Sequence, residues 1–265
     1  MDISNHGTVP AARKISMPLW LAGVAVLALA LHYGATHAAQ SSPTLASFIQ
    51  WTPALLHGFL LNILISVAAI VAGSGLGLAV GGLALSKSFL GTLARAWVQF
   101  FRNAPWLVLI YFTSYVFPFE LHLGHATLPF PDWLKVTAGL ALPASANIAE
   151  IFRGAVASIP ATQWEAASSL AFSRRQILFT IIFPQCIRRM LPPWMNLYAI
   201  VTMGTALASL VGIHDLLDTA QIAAGTVNRS SFTVLTYFAA LGIFFAYCYP
   251  ISRITRGLER RYQFD

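Results

Sequence analysis

Apolar residues run along this chain in long blocks separated by short polar stretches. A spanning helix needs about 20 mostly apolar residues to cross about 30 Å of hydrocarbon. Residues 16–34, 58–85, 104–119, 136–157, 193–212 and 232–252 are read as such spans. They are too long and too uniformly apolar to be the alternating strands of a barrel. Inside a bilayer every backbone polar group must be satisfied internally, so all of them are predicted to be α-helices. The first has two readings. Arg13-Lys14, an apolar core and Ala35-Thr36-His37-Ala38-Ala39 fit either a retained spanning helix or a cleaved signal peptide. In both cases residues 40–54 are expected on the outer side.

Composition removes whole classes of function. Of 265 residues 9% are charged and 57% hydrophobic, with a mean hydropathy of +0.68; an average soluble domain has about 25% charged residues. Such a chain cannot cover a water-soluble globule with polar surface. A soluble enzyme, a disordered chain and a disulfide-rich secreted scaffold are excluded. Cys186 and Cys248 form no pattern. The net charge of +7 is explained by where the charges fall. With the N-terminus inside, 14 of the 16 Lys and Arg residues lie in cytoplasmic segments, and only Lys135 and Arg229 lie outside. That is the bias that orients membrane helices, and it needs no nucleic-acid partner. Both termini are then cytoplasmic. The basic end of the chain, Arg253, Arg256, Arg260 and Arg261, suits anionic headgroups.

Several short motifs invite chemistry and do not carry it. Gly81-Gly82-Leu83-Ala84-Leu85-Ser86-Lys87-Ser88 comes close to a phosphate-binding loop, but Ser86 stands where Gly must precede the Lys, and no strand leads into it. ATP is therefore expected to be used by a partner and not by this chain. Gly73, Gly77 and Gly81 recur every four residues, the spacing that lets two helices approach closely in lipid. His122 and His125 have no carboxylate or Cys companion at metal-ligand spacing and read as an exposed loop. No nucleophile, base and acid fall into a recognisable set.

The informative segment is 158–193, the longest polar-leaning stretch between spans. Pro160 ends the preceding helix. Thr162 and Glu165 have capping-box spacing, predicting a short helix through Trp164, Ala166, Ala167 and Leu170. Ser173 and Gln176 repeat the device ahead of Ile177, Leu178, Ile181 and Ile182. Pro184 is expected to end or kink that second helix, and Pro192-Pro193 to punctuate the start of the fifth span. A short helix with a compact, weakly charged face suits a groove in another protein. The same helix also fits a position flat on the lipid surface.

Glu165-Ala166-Ala167 followed by Ile181-Ile182-Phe183-Pro184 resembles the EAA loop of ABC importer permeases. The flanks narrow the resemblance. They are Phe101-Arg102-Asn103-Ala104-Pro105, Ala149-Glu150-Ile151-Phe152-Arg153-Gly154 with Ile159-Pro160, and Arg188-Arg189-Met190-Leu191-Pro192-Pro193. Together these are similar to the polar amino acid permeases, the histidine/glutamine/glutamate group, over about residues 55–262. The resemblance implies an all-α integral membrane protein, a type I ABC importer transmembrane domain of five core helices plus one N-terminal helix. Residues 1–54 would be the N-terminus, extra helix and linker, 55–257 the permease domain and 258–265 a cytoplasmic tail. It implies a bacterial inner-membrane location. The implied partners are an ABC ATPase dimer, a second permease subunit, an extracytoplasmic amino acid binding protein and membrane lipids. No cofactor would be bound by this chain, since ATP and Mg belong to the ATPase. Trp164, Glu165, Ala166, Ala167, Ala171 and Phe172 would form the coupling surface.

Two departures stand out. The family's Gly after the EAA helix is Ala171 here, so either the turn is not left-handed or the loop is less well fixed. Where relatives often carry a charged pair, this chain has Met203-Gly204 before Thr205. For the substrate path the polar candidates inside spans are Glu150 and Asn147, one turn apart, with Asn62, Asn196, Thr202 and Thr205. Glu150 alternatively pairs with Arg153, three residues on. An ion-coupled secondary transporter is the rival reading, but it needs ionisable groups near the midplane, and this chain has almost none.

Overall fold

The computed structural model describes residues 43–123 and 126–262. The expectations placed on 1–42, among them the extra helix or signal peptide, lie outside the described residues, as does His125. From Trp51 onward the chain forms one compact unit; residues 43–50 are helical and belong to a separate one.

The described helices longer than one turn are α1 (Pro43–Ala84), α2 (Phe89–Asn103), α3 (Trp106–Val116), α4 (Asp132–Ala157), α5 (Ala161–Ser169), α6 (Phe183–Gly204), α7 (Leu216–Val227) and α8 (Ser230–Tyr262). A π-helical segment, Ile177–Ile182, leads into α6, and a 3-10 segment, Thr205–Val211, continues it. A small antiparallel hairpin, Glu120–Leu123 with Ala126–Pro129, sits between α3 and α4, Glu120 facing Pro129 and Leu123 facing Ala126. It is the one exception to an otherwise helical chain among the described residues. His122, expected in an exposed loop, lies in its first strand.

Among the described residues three helices are long and apolar enough to cross a membrane: Pro43–Ala84, Ile177–Val211 and Ser230–Arg260. Helix α1 begins well ahead of the predicted span, so 43–54 are helical, and Pro53 is accommodated inside the helix. The predicted span 104–119 is also shorter in the structure. Ala104 precedes Pro105 and is held extended (φ −76°, ψ 136°), which separates α2 from the 11-residue α3.

Helix α4 is the core rather than a lipid-facing span. At 26 residues it is about 39 Å long, and it packs against α2, α3 and α6. The glycine stripe of α1 lies against it. A β-carbon at Gly77 would stand 2.5 Å from the Ser145 carbonyl oxygen, and one at Gly73 2.9 Å from the Ala144 β-carbon. Those contacts are why glycine recurs every four residues there. One buried cluster joins Ile65, Ala69, Ile110, Leu140, Val201 and Ile213 in the middle of the unit. A second, around Phe152, Ile159, Ile177, Ile182 and Cys186, lies beneath the loop between α4 and α6.

Candidate functional site

The loop between α4 and α6 folds into a seated unit. Helix α5 starts earlier than the sequence predicted. Pro160 (φ −55°, ψ 140°) already supplies the extended residue before a helix, so Thr162 lies inside α5 and does not cap it. The Ser173 and Gln176 pair does form the expected box: Ser173 N–H donates to Gln176 Oε1 at 2.9 Å, and Gln176 N–H to Ser173 Oγ at 3.4 Å.

One side of α5 is committed to packing. Ala167 is 3% exposed, and Trp164, three residues earlier on the same face, is half-buried against the second cluster. Two polar ties fix the start of α5 to α6. Arg189 Nη1 donates to Ser158 O and Ser158 Oγ, each at 2.9 Å, and Gln185 Nε2 donates to Gln163 Oε1 at 2.7 Å. The other side is open: Glu165, Ala166, Ser169, Leu170, Ala171 and Phe172 are exposed, Leu170 at 73%. Of the six residues expected to form a coupling surface, Glu165, Ala166, Ala171 and Phe172 are presented outward, and Ala167 is turned in.

Ala171 keeps the left-handed turn without glycine. Its φ is +60°. Its N–H donates to Ser168 O at 3.0 Å and the Phe172 N–H to Ala167 O at 3.4 Å, the paired bonds of a left-handed helix stop. Holding a β-carbon in that conformation costs about 1–2 kcal/mol. Beyond it, Pro184 neither ends the helix nor stands at a break. It has no N–H, and its ring crowds the Thr180 carbonyl four residues back. The chain answers with the wide π turn just ahead, where Phe183 N–H reaches Leu178 O. Pro192 and Pro193 likewise lie within α6 and not at its start.

The second polar gathering is deep in the unit. Asn62 on α1 donates its amide to Thr205 Oγ1 at 3.0 Å and to Asp215 Oδ2 at 2.9 Å, and its Oδ1 accepts the Leu216 N–H at 3.1 Å. Thr205 Oγ1 in turn donates to Thr202 O at 2.7 Å. Asp215 Oδ1 accepts the Asp218 N–H at 2.9 Å, capping α7. All four residues, Asn62, Thr202, Thr205 and Asp215, have no exposed surface. Gly58, one turn before Asn62, lets the α1 backbone reach the Asp215-Leu216 peptide: a β-carbon there would stand 2.6 Å from Asp215 O. Burial pushes the Asp215 carboxyl above its usual range, against the lowering effect of the bonds from Asp218, Asn62 and Leu217.

The structure thus brings three of the six expected path residues together, Asn62, Thr202 and Thr205, as one satisfied joint. The others stand apart. Glu150 Oε2 lies 3.2 Å from Arg153 Nη1 and 3.8 Å from Arg102 Nη1, the pairing anticipated as its alternative role. Asn147 donates to Pro143 O at 2.8 Å. Asn196 is exposed on α6. Sequence reasoning missed Asp215 because it lies between spans; the signal was an Asp directly before an apolar helix, with Asp218 three residues on. It also missed Lys135, whose buried Nζ lies 2.9 Å from Asp132 Oδ1 and 3.6 Å from the Phe119 ring centroid. Among the described residues no group of three His, Cys, Asp or Glu stands ready to hold a metal.

This arrangement of helices is that of an ABC importer's membrane subunit. The solved "Crystal structure of an amino acid ABC transporter with histidines" superposes with a TM-score of 0.71 at 24% identity, covering 82% of this chain and 97% of that one. An inward-facing MetNI methionine ABC transporter gives 0.59 at 16% identity, over 78% and 97%. The chain belongs to the family of binding-protein-dependent transport system inner membrane components, which matches residues 69–264. It is 32% identical over 215 residues to the "Probable amino-acid ABC transporter permease protein YckA" of Bacillus subtilis, covering 81% of this chain and 91% of that one. It is 30% identical over 214 residues to the glutamine transport system permease protein GlnP of Escherichia coli, covering 79% and 93%.

Proposed function

We propose that this chain is the permease subunit of an ATP-driven importer for polar amino acids, and that the outward side of α5 is the surface an ATPase subunit grips. The observation that carries this reading is the division of α5 into two sides. Ala167 and Trp164 lock it onto the second cluster, while Glu165, Ala166, Leu170 and Phe172 stay open. A lever needs both a rigid seat and a free face. The names of the relatives support the amino acid substrate and the binding-protein partner. A second permease, identical or homologous, completes the pathway. The residues around α5 and the C-terminus face the cytoplasm in this reading, as the Lys and Arg distribution requires.

ATP hydrolysis takes place in the partner. Its closure pushes α5, and the pair of permeases shifts between inward- and outward-facing states through different binding of the two conformations. For the path, Asn196 supports a role best, since it alone of the six candidates is a polar side chain left exposed on a long spanning segment. The test is uptake by cells carrying the whole transporter. Depleting ATP while the proton gradient is kept abolishes uptake in this account; uptake that survives would instead favour ion coupling. Glu165→Lys and Ala166→Trp are expected to lose the ATPase subunits on copurification at normal membrane abundance. Retention of both the subunits and uptake removes α5 from the mechanism.

A further inference from the structure

We infer that the end of α8 carries a phosphate-binding cleft, and that its position fits the phosphate of an acidic phospholipid headgroup. Tyr249, Arg253, Arg256, Gly257 and Arg260 line an open cleft of about 380 Å³ along one helix. The three arginines follow each other at i, i+3 and i+7 and share a side. Among the described residues no Asp or Glu oxygen lies within 4.0 Å of any of the three guanidiniums. Glu259, next to them in sequence, bridges none of them.

Their donors are largely free for a ligand. Each guanidinium has five N–H groups. Arg253 gives one to Tyr249 Oη at 3.1 Å and Arg256 one to Ser252 O at 3.4 Å. Planar donors of this kind match phosphate oxygens in pairs. Gly257 meets no atom within 4 Å of where a β-carbon would stand, so space lies open beside the arginines. The position supplies the ligand class. Phe245 and Tyr249 stack with ring centroids 5.1 Å apart, an aromatic pair of the kind found where a spanning helix leaves hydrocarbon. Arg253 follows one turn later, with its guanidinium 5.9 Å from the Tyr249 ring. The cleft therefore begins at the depth of headgroup phosphates. Two arginines at the end of a helix also complement its dipole, but that role needs neither the shared face nor the open cleft.

The chemistry recognised is a phosphate, borne by a lipid or free in solution, and the experiment separates the two. The purified full chain in an uncharged detergent is mixed with phosphatidylglycerol, phosphatidylcholine or inorganic phosphate, and adducts are counted by native mass spectrometry. Phosphatidylglycerol retained well above phosphatidylcholine, and not displaced by millimolar inorganic phosphate, identifies the lipid as the source. Displacement by inorganic phosphate supports the cleft with a free phosphate as its ligand. Each Arg→Gln change at 253, 256 or 260 is expected to lower retention about fivefold, and the triple Arg→Lys variant to keep part of it, through charge without the paired donors. Should any single Gln variant fail to fold, the other single variants and the Lys variant carry the test. Equal retention of the two lipids with no phosphate adduct, or no loss on Arg→Gln substitution, overturns the inference.

Discussion

The joint at Asn62 and the loop around α5 are both polar, and they are built in opposite ways. At the joint both amide hydrogens and the oxygen of Asn62 are engaged, by Thr205, Asp215 and the Leu216 N–H, with no surface left exposed. In the loop only one side is committed, and the other presents Glu165, Leu170 and Phe172. The loop also holds an alanine at φ +60° and a π turn before Pro184. A fully satisfied buried network specifies one arrangement of helices. An open face on a firm seat is what a partner can hold and push. Within this chain, polar residues buried deep act as fasteners, and those open to a partner stay outside.

The comparison breaks first at the joint. Asp215→Ala removes both the α7 cap and the partner of a buried amide, a loss of about 3 kcal/mol. Thermal unfolding in detergent is expected to move down by several degrees, with Asp215→Asn recovering only part of it, because an amide has one acceptor oxygen where the carboxylate uses two. A variant as stable as the wild type would mean that the joint fastens nothing. Next is the glycine seam: Gly77→Val forces a side chain against the Ser145 carbonyl and Ile148, costing about 1–3 kcal/mol. The same change at Gly75, where nothing lies within 4 Å, is expected to be nearly silent in the same melt. In the loop, Ala167→Trp is expected to lower stability because Ala167 faces the core, whereas Ala166→Trp leaves the melt unchanged and loses only the ATPase. Identical behaviour of the two would erase the distinction between seat and face. The smallest effect is a gain: Ala171→Gly relieves the left-handed strain and raises stability by about 1 kcal/mol, read as a higher melting temperature with uptake unchanged.

Most of the helices were legible because length and apolarity report spans directly. The small-residue stripe announced close packing through its period, and Ser173 with Gln176 announced a cap through its spacing. What sequence could not supply was depth. Asn62, Thr205 and Asn196 look alike as polar residues in apolar runs, yet two are buried in the joint and one is exposed. That difference depends on which helix faces which, as where Gly58 lets the α1 backbone approach Asp215. Thr162 misled because Pro160 already provides the extended backbone that begins a helix, so capping spacing was present with no cap to make. Pro184 reads in sequence as an end or a kink and Pro192-Pro193 as the start of a span, yet the helix runs through all three. A helix held on several sides tolerates the lost N–H through a widened turn.

The central claim is that the outward side of α5 meets an ATPase inside the cell. It is tested most directly by a single cysteine at Ala166, with Cys186 and Cys248 replaced, in the assembled transporter in intact cells. The account predicts a cross-link from position 166 to the ATPase subunit, and no reaction with a membrane-impermeant thiol reagent added outside. Labelling from the outside, or no cross-link in an assembled and active transporter, would contradict it.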